Sequence, residues 1–244
     1  MNPLEPFERD YRIAYSDTDM QRRLRLSRLF TLLQEAATDH AALLGAGRDK
    51  TLDRGILWIV TLQQANVIRM PVYDEPVRIV TWPGKPKHVL FPRYYRIVDE
   101  YGNALIEASS LWALMDADTR KAVFPEQCGI AVPGMQTGLE TALPRPPQAP
   151  QTEQTAVFTV PYSYIDQNGH MNNTRYFDLA EDNMPDALRM RTLREVKTEY
   201  SREARLDDAI TLKSELVGDT FLLAGESEGQ KLFKLSLAYA PDEP

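Results

Sequence analysis

The sequence predicts an α+β protein of two related units, each a helix followed by an antiparallel sheet, and three observations carry that prediction. The first is an internal repeat. Laying Tyr15 on Tyr162, an offset of 147 positions, brings YSDTDMQRRLRLSRLFTLL over YSYIDQNGHMNNTRYFDLA without a gap, with Tyr15/Tyr162, Ser16/Ser163, Asp19/Asp166, Arg28/Arg175, Phe30/Phe177 and Leu32/Leu179 identical. The second is the stretch MQTGLETALPRPPQAPQTEQ between the copies, where Pro144, Pro146, Pro147 and Pro150 remove backbone donors and favour extended chain, as in a surface linker. The third is that segments following each copy alternate apolar and polar residues with period two. Strands with one wet face and one face on a helix have that pattern. The division that results is a first unit over 1–134, a linker over 135–154 and a second unit over 155–244.

Each element follows from local chemistry. Ser27 as an N-cap, then Leu29, Leu32, Leu33, Ala36, Ala37, Leu43 and Leu44 at helical spacing, with Gly45 as a stop, predict the first helix. IVTLQQANVI and PVYDEPVRIVTW read as strands after it. FPRYYRIVD and ALIEASSLWALMD flank the turn Glu100-Tyr101-Gly102-Asn103 and predict a hairpin. In the second unit a helix begins at Asn173 or Thr174. AITLKSELV places Ile210, Leu212, Ser214 and Leu216 on one face, and KLFKLSLAY does the same with Phe233, Leu235, Leu237 and Tyr239.

Composition excludes several classes. Of 244 residues 43% are hydrophobic and 26% charged, so the chain is globular and neither disordered nor low-complexity. A net charge of −7 leaves no global basic field for nucleic acid or an anionic membrane, so an acidic partner needs a local basic patch. Cys128 is the single cysteine and has no partner for an internal disulfide. With three histidines beside it, no Cys/His metal site is expected, and no cofactor either. A reducing cytoplasm fits that usage. MNPLEPFERDYRIAY has no leader or transit pattern, and no stretch reaches the roughly 20 apolar residues of a membrane span.

Three motifs bear on chemistry. Gly225-Glu226-Ser227-Glu228-Gly229 has the spacing of a nucleophile elbow, but no His or helix follows it, so a solvent turn between two strands is the better reading. Cys128 has no nearby His to activate it. IDQNGHMNN, residues 165–173, is richer. Asp166, Asn168 and His170 alternate, Gly169 permits a turn, and a helix start follows, so a carboxylate, an amide and an imidazole stand beside the positive end of a helix. Such a cluster can stabilise a carbonyl oxygen as it gains negative charge, although Asx-rich segments with Gly also form plain turns. The first copy has Asp19, Gln21 and Arg23 there, and Arg22 opposite Gly169. A purely structural turn would keep similar residues in both copies, so one functional and one degenerate copy is expected. Glu203, next to Arg202 in VKTEYSREARLDD, is either a desolvated base or a solvated ion-pair partner.

These residues resemble the acyl-ACP thioesterases, the double-hotdog enzymes that release fatty acids from acyl carrier protein. The resemblance runs from about Tyr11 to Tyr239 through LLQEAATDH, LWIVTLQQANVIRMPVYDEPVRIVTWPG, ASSLWALMDADTRKAVFPE, YIDQNGHMNNTRYFD and EYSREARLDD, and the order of these blocks makes it specific. It implies two tandem hotdog domains fused as a pseudo-dimer, hydrolysis of an acyl-carrier thioester, and Asp166, Asn168, His170 and Glu203 as the catalytic set. The position after the glutamate, often cysteine in plant members, is Ala204, so no thiol stands there. The resemblance also places the acyl chain in the first hotdog, with residues from Ser27 to Leu44 and Ile56 to Ile68, Leu29 and Leu33 among them, and Trp58 and Trp112 lining or closing its tunnel. For the acidic carrier, Arg22, Arg23, Arg25 and Arg28 form the densest basic cluster, and Lys85, Lys87 and Arg93 a second. An acyl-CoA thioesterase, a non-catalytic acyl-binding module, and assembly as monomer or homodimer stay open.

Overall fold

The computed structural model describes residues 5–153 and 156–241; Gln154 and Thr155, where the linker ends and the second unit begins on the sequence reading, lie outside the described residues. In chain order the elements are β1 (Phe7–Arg12), α1 (Leu26–Leu43), β2 (Ile56–Val67), β3 (Pro76–Pro83), β4 (Leu90–Val98), β5 (Ala104–Asp116), α2 (Pro125–Cys128), β6 (Ala156–Thr159), α3 (Arg175–Asn183), α4 (Asp186–Arg189), β7 (Leu193–Tyr200), β8 (Ala209–Val217), β9 (Thr220–Ser227) and β10 (Gln230–Tyr239). The strands form one antiparallel sheet in the order β1-β3-β4-β5-β2-β7-β10-β9-β8-β6. That order is a palindrome: the first half reads outward from β2 as the second reads outward from β7. The two halves join where Leu62 pairs with Glu199 and Asn66 with Glu195. Each half wraps its sheet around its own helix, which is the double-hotdog, α+β architecture that the resemblance implies.

The repeat is visible atom by atom. Short 3-10 turns at Tyr15–Asp17 and Tyr162–Tyr164 occupy equivalent places, and the bridges Thr18–Leu24 and Ile165–Met171 are equivalent too. Phe30 and Phe177, one of the identical pairs, stack on each other with centroids 4.0 Å apart and planes 5° off parallel. Both are fully buried where α1 meets α3, so the repeat's own aromatic closes the core across its two-fold axis.

Local readings hold with three corrections. Of PVYDEPVRIVTW, read as a strand, only the part from Pro76 onward is one, because residues 71–75 turn instead. The Glu100–Asn103 turn forms, with Gly102 at φ +85° and the Asp99 carboxylate accepting the Tyr101 and Asn103 N–H groups at 2.9 and 2.8 Å. α1 does not start on Ser27. Arg25 holds the N-cap position without capping through its side chain, and the free Leu26 N–H is taken by Glu181 Oε1 of α3 at 3.1 Å, so capping comes from the other half of the chain. In the Gly225–Gly229 stretch only Glu228 and Gly229 turn, both at positive φ. Gly225, Glu226 and Ser227 belong to β9. Gly225 is glycine because a Cβ there would lie 2.2 Å from Phe233 Cε1, inside the core. Among the described residues no helix is long and apolar enough to cross a membrane.

Candidate active site

The Asp166 and Asp19 loops are the same turn. Asp166 N–H bonds to His170 O at 2.9 Å, Gly169 N–H to Asp166 O at 3.0 Å, and Asn168 N–H to Asp166 Oδ1 at 2.8 Å. In the first half Asp19 N–H bonds to Arg23 O at 2.8 Å, Arg22 N–H to Asp19 O at 3.0 Å, and Gln21 N–H to Asp19 Oδ1 at 2.9 Å. Gly169 sits at φ +77° and Arg22 at +63°, so the left-handed residue is kept in geometry although not in sequence. This corrects the expectation that a structural turn would preserve its glycine. The shared aspartate is explained by the turn alone, and what differs between the copies is the residue the turn presents. Arg23 is spent on packing: it pairs with Asp19 at 3.0 Å and donates to the carbonyls of Arg189 and Arg191. His170 instead points toward a second loop.

That loop follows β7 and carries Glu203. Met171 N–H donates to Ala204 O at 2.8 Å, which locks the two loops side by side and sets His170 and Glu203 each one position before the anchor. His170 Nε2 lies 3.1 Å from Glu203 Oε2. His170 is 6% exposed, and burial is the largest cause holding its proton affinity below the ordinary imidazole value. Glu203 raises it, while Arg120 and Arg205 lower it and Asp166 raises it. Sequence reasoning missed Arg120. It belongs to the turn after β5, at φ +57°, and reaches across the halves to place Nη1 3.2 Å from Glu203 Oε1 and Nη2 2.8 Å from His170 Nε2. Asp116 builds that turn, accepting Thr119 N–H at 2.7 Å, and an Asp at a strand end with Arg four residues on is its only sequence signal. Ala204 is fully buried.

A cavity of about 890 Å³ opens on these groups, and Asp166, Asn168, His170, Glu203 and Arg120 all line it. Its remaining wall is largely apolar and comes mostly from the first half, with Ala37 and Ala41 of α1, Ile56 to Val60 of β2, Phe91, Trp112 and Met115, joined by Met171, Tyr176 and Tyr200 of the second. Trp58 stands edge-on to Phe91 at 4.8 Å and donates to Ala46 O at 3.1 Å, while Trp112 donates to Ser110 Oγ at 2.7 Å. Leu29 and Leu33 are not part of this wall. Both pack in the main core in the first half of α1, whereas the cavity is lined by Gln34, Ala37, Thr38 and Ala41 further along the helix. A carboxylate, an imidazole, an amide and a guanidinium at one end of an apolar cavity can polarise a carbonyl and activate water. Among the described residues no group of three or more His, Cys, Asp or Glu has the arrangement of a metal site.

The basic clusters divide. Arg22 and Arg25 are exposed, whereas Arg23 is committed as above and Arg28 pairs with Asp17 at 2.9 Å. Arg93 is 7% exposed and bonds inward to Thr81 Oγ1 at 3.2 Å, beside His40 Nδ1 at 3.3 Å, so it cannot meet a carrier protein.

Comparison with known proteins agrees with this architecture. Residues 5–127 match the family model described as acyl-ACP thioesterase N-terminal domain, and residues 148–238 the one described as acyl-ACP thioesterase C-terminal domain. The chain is 25% identical over 248 residues to a chloroplastic palmitoyl-acyl carrier protein thioesterase of Arabidopsis thaliana, covering 94% of this chain and 60% of that one. It is 24% identical over 213 residues to the protein of that name from Cuphea hookeriana, covering 81% and 51%. The chain therefore spans between half and two thirds of the length of these relatives. Among solved structures, an acyl-ACP thioesterase from Bacteroides thetaiotaomicron superposes with a TM-score of 0.84 at 20% identity, over 96% of this chain and 97% of that one. The 12:0-ACP thioesterase from Umbellularia californica superposes with a TM-score of 0.80 at 19% identity, over 97% and 98%. At such identities the superpositions speak for the fold.

Proposed function

Because the chain belongs to the acyl-ACP thioesterase family, we propose that it hydrolyses the fatty acyl thioester of acyl carrier protein to free fatty acid and the carrier's thiol. The observation that supports this most is Glu203 at 3.1 Å from His170, at the polar end of a cavity whose other wall is apolar. Glu203 takes a proton from water, and the oxygen adds to the thioester carbonyl carbon. Asn168, His170 and the N–H groups at the start of α3 stabilise the oxyanion. The C–S bond then breaks, and the proton held by Glu203 passes to the leaving thiolate. Asp166 holds Asn168 and His170 in place through the turn. No metal or cofactor enters these steps. The first unit, 1–134, takes the acyl chain, with Trp58 and Trp112 in its wall, the second, 155–244, carries the chemistry, and 135–154 connects them. We place the reaction in a reducing cytoplasm, in keeping with the single Cys128.

The test is direct: incubate the protein with acyl carrier proteins and acyl-CoAs of graded chain length and measure fatty acid and thiol released. Faster turnover of acyl-CoA would redirect the reading to a CoA thioesterase, and binding without release would leave only an acyl-binding module. For docking, exposed Arg22 and Arg25 are the part of the basic cluster free to meet an acidic carrier. Reversing both charges is expected to raise KM for the carrier substrate and to spare a small thioester; equal effects on both would place docking elsewhere.

A further inference from the structure

A guanidinium can only donate hydrogen bonds. Arg120 Nη2 lies 2.8 Å from His170 Nε2, closer than Glu203 Oε2 at 3.1 Å, and the shorter contact assigns that nitrogen's lone pair to the guanidinium, which makes the imidazole neutral with its proton on Nδ1. The 3.1 Å approach of Glu203 Oε2 to the same nitrogen then brings two acceptors together. Arg120 bridges them, because its other nitrogen donates to Glu203 Oε1 at 3.2 Å. The fork is fixed from outside the catalytic half. Asp116 accepts Asp118 N–H at 3.2 Å, Thr119 N–H at 2.7 Å and Thr119 Oγ1 at 2.8 Å, and Arg120 N–H donates to Asp116 O at 3.0 Å.

We propose that Arg120 is a positioning residue for the reaction: supplied by the first half of the chain, it holds His170 in the neutral Nδ1–H form and Glu203 as an oriented carboxylate with Oε2 turned to the cavity. This rests on the reading of Glu203 and His170 given above. The charged groups that act on His170 are Arg120 from the turn after β5, Glu203 and Arg205 from the loop after β7, and Asp166 from its own loop. Removing Arg120 takes away a cation that disfavours a proton on His170, so the imidazole should take one more readily.

Arg120→Gln and Arg120→Lys test this. Arg120→Gln is expected to lower kcat at least tenfold with KM within twofold, and to move the acid limb of the pH–rate profile up by about 1 pH unit. Arg120→Lys should return the limb toward its original place without restoring kcat, because a point charge cannot fork to two partners. ¹⁵N NMR of His170 gives a readout that needs no turnover: Nε2 unprotonated in the parent protein, and a higher titration midpoint in Arg120→Gln. A loss of activity by the same factor at every pH with an unchanged His170 titration would overturn the proposal, as would kcat within twofold of the parent. Absence of thioester hydrolysis by the parent itself would strike the function proposed above, whereas the NMR titration would still decide the role of Arg120.

Discussion

At the scale of single residues, the pair of turns separates structure from chemistry. Asp19 and Asp166 accept the same backbone N–H, at 2.9 and 2.8 Å, but only the second turn presents its groups to the cavity. Glu203→Gln and His170→Ala are each expected to lower kcat a hundredfold or more, the usual reach of acid–base groups. Asp166→Asn should do the same through lost positioning, whereas Asp19→Asn, which disturbs the matching turn, should leave kcat near normal while lowering stability. Steady-state kinetics with thermal melts checks all four, and near-normal turnover of the Glu203, His170 and Asp166 variants would sink the assignment. The Asp-Asn-His set was legible because the motif is local. Arg120 was not, since its partners lie 50 and 83 residues away and neither spacing leaves a periodic trace. Leu29 and Leu33 were misjudged for a related reason: helical spacing shows that they are buried, but not whether core or cavity lies over them.

At the scale of elements, most strands follow from alternation and most turns from Gly and Asx chemistry, because both are short-range. The start of α1 is the exception. A Ser before an apolar run is an ordinary N-cap signal, yet Glu181 from α3 fills that role and the helix begins earlier. Burial is the largest cause that pushes the Glu181 carboxyl up, to about 7, with Leu26 N–H and Arg25 opposing and Asp178 and Asp19 assisting. A carboxyl that binds its proton more tightly when folded stabilises the fold fully below its unfolded value near 4.5, and that contribution is lost as pH rises through about 7. Glu181→Gln keeps an acceptor for Leu26 N–H and removes the ionisation. The variant should match the parent near pH 4 and exceed it at pH 8 by on the order of 1–3 kcal/mol. Denaturant titrations at the two pH values measure the difference, and parallel stability curves would refute it.

At the scale of the whole molecule, the palindromic strand order makes one chain of two unequal halves. The repeat announced that duplication, but the seam at β2 and β7 was not legible, since strand pairing across 129 or more residues leaves no local pattern. The consequence is a division of labour: the first half contributes most of the apolar wall and Arg120, the second the Asp166 turn and Glu203. On the proposed function, acyl length should therefore be set by α1 and the strands beside it, not by the half that carries His170 and Glu203. Ala37 and Ala41 lie one turn apart on the face of α1 that lines the cavity, where small side chains leave open space. Ala37→Leu and Ala41→Leu fill that room. Each is expected to shift the released fatty acids toward shorter chains, with discrimination against the longest acyl groups of roughly 1–3 kcal/mol per displaced methylene contact. His170, Glu203 and Arg120 are untouched, so kcat on the shortest substrates should hold. Product profiles from acyl carrier substrates of graded length supply the measurement. An unchanged profile in both variants would mean that the acyl chain lies elsewhere, and uniform loss at every length would mean that the substitutions disturb α1 itself.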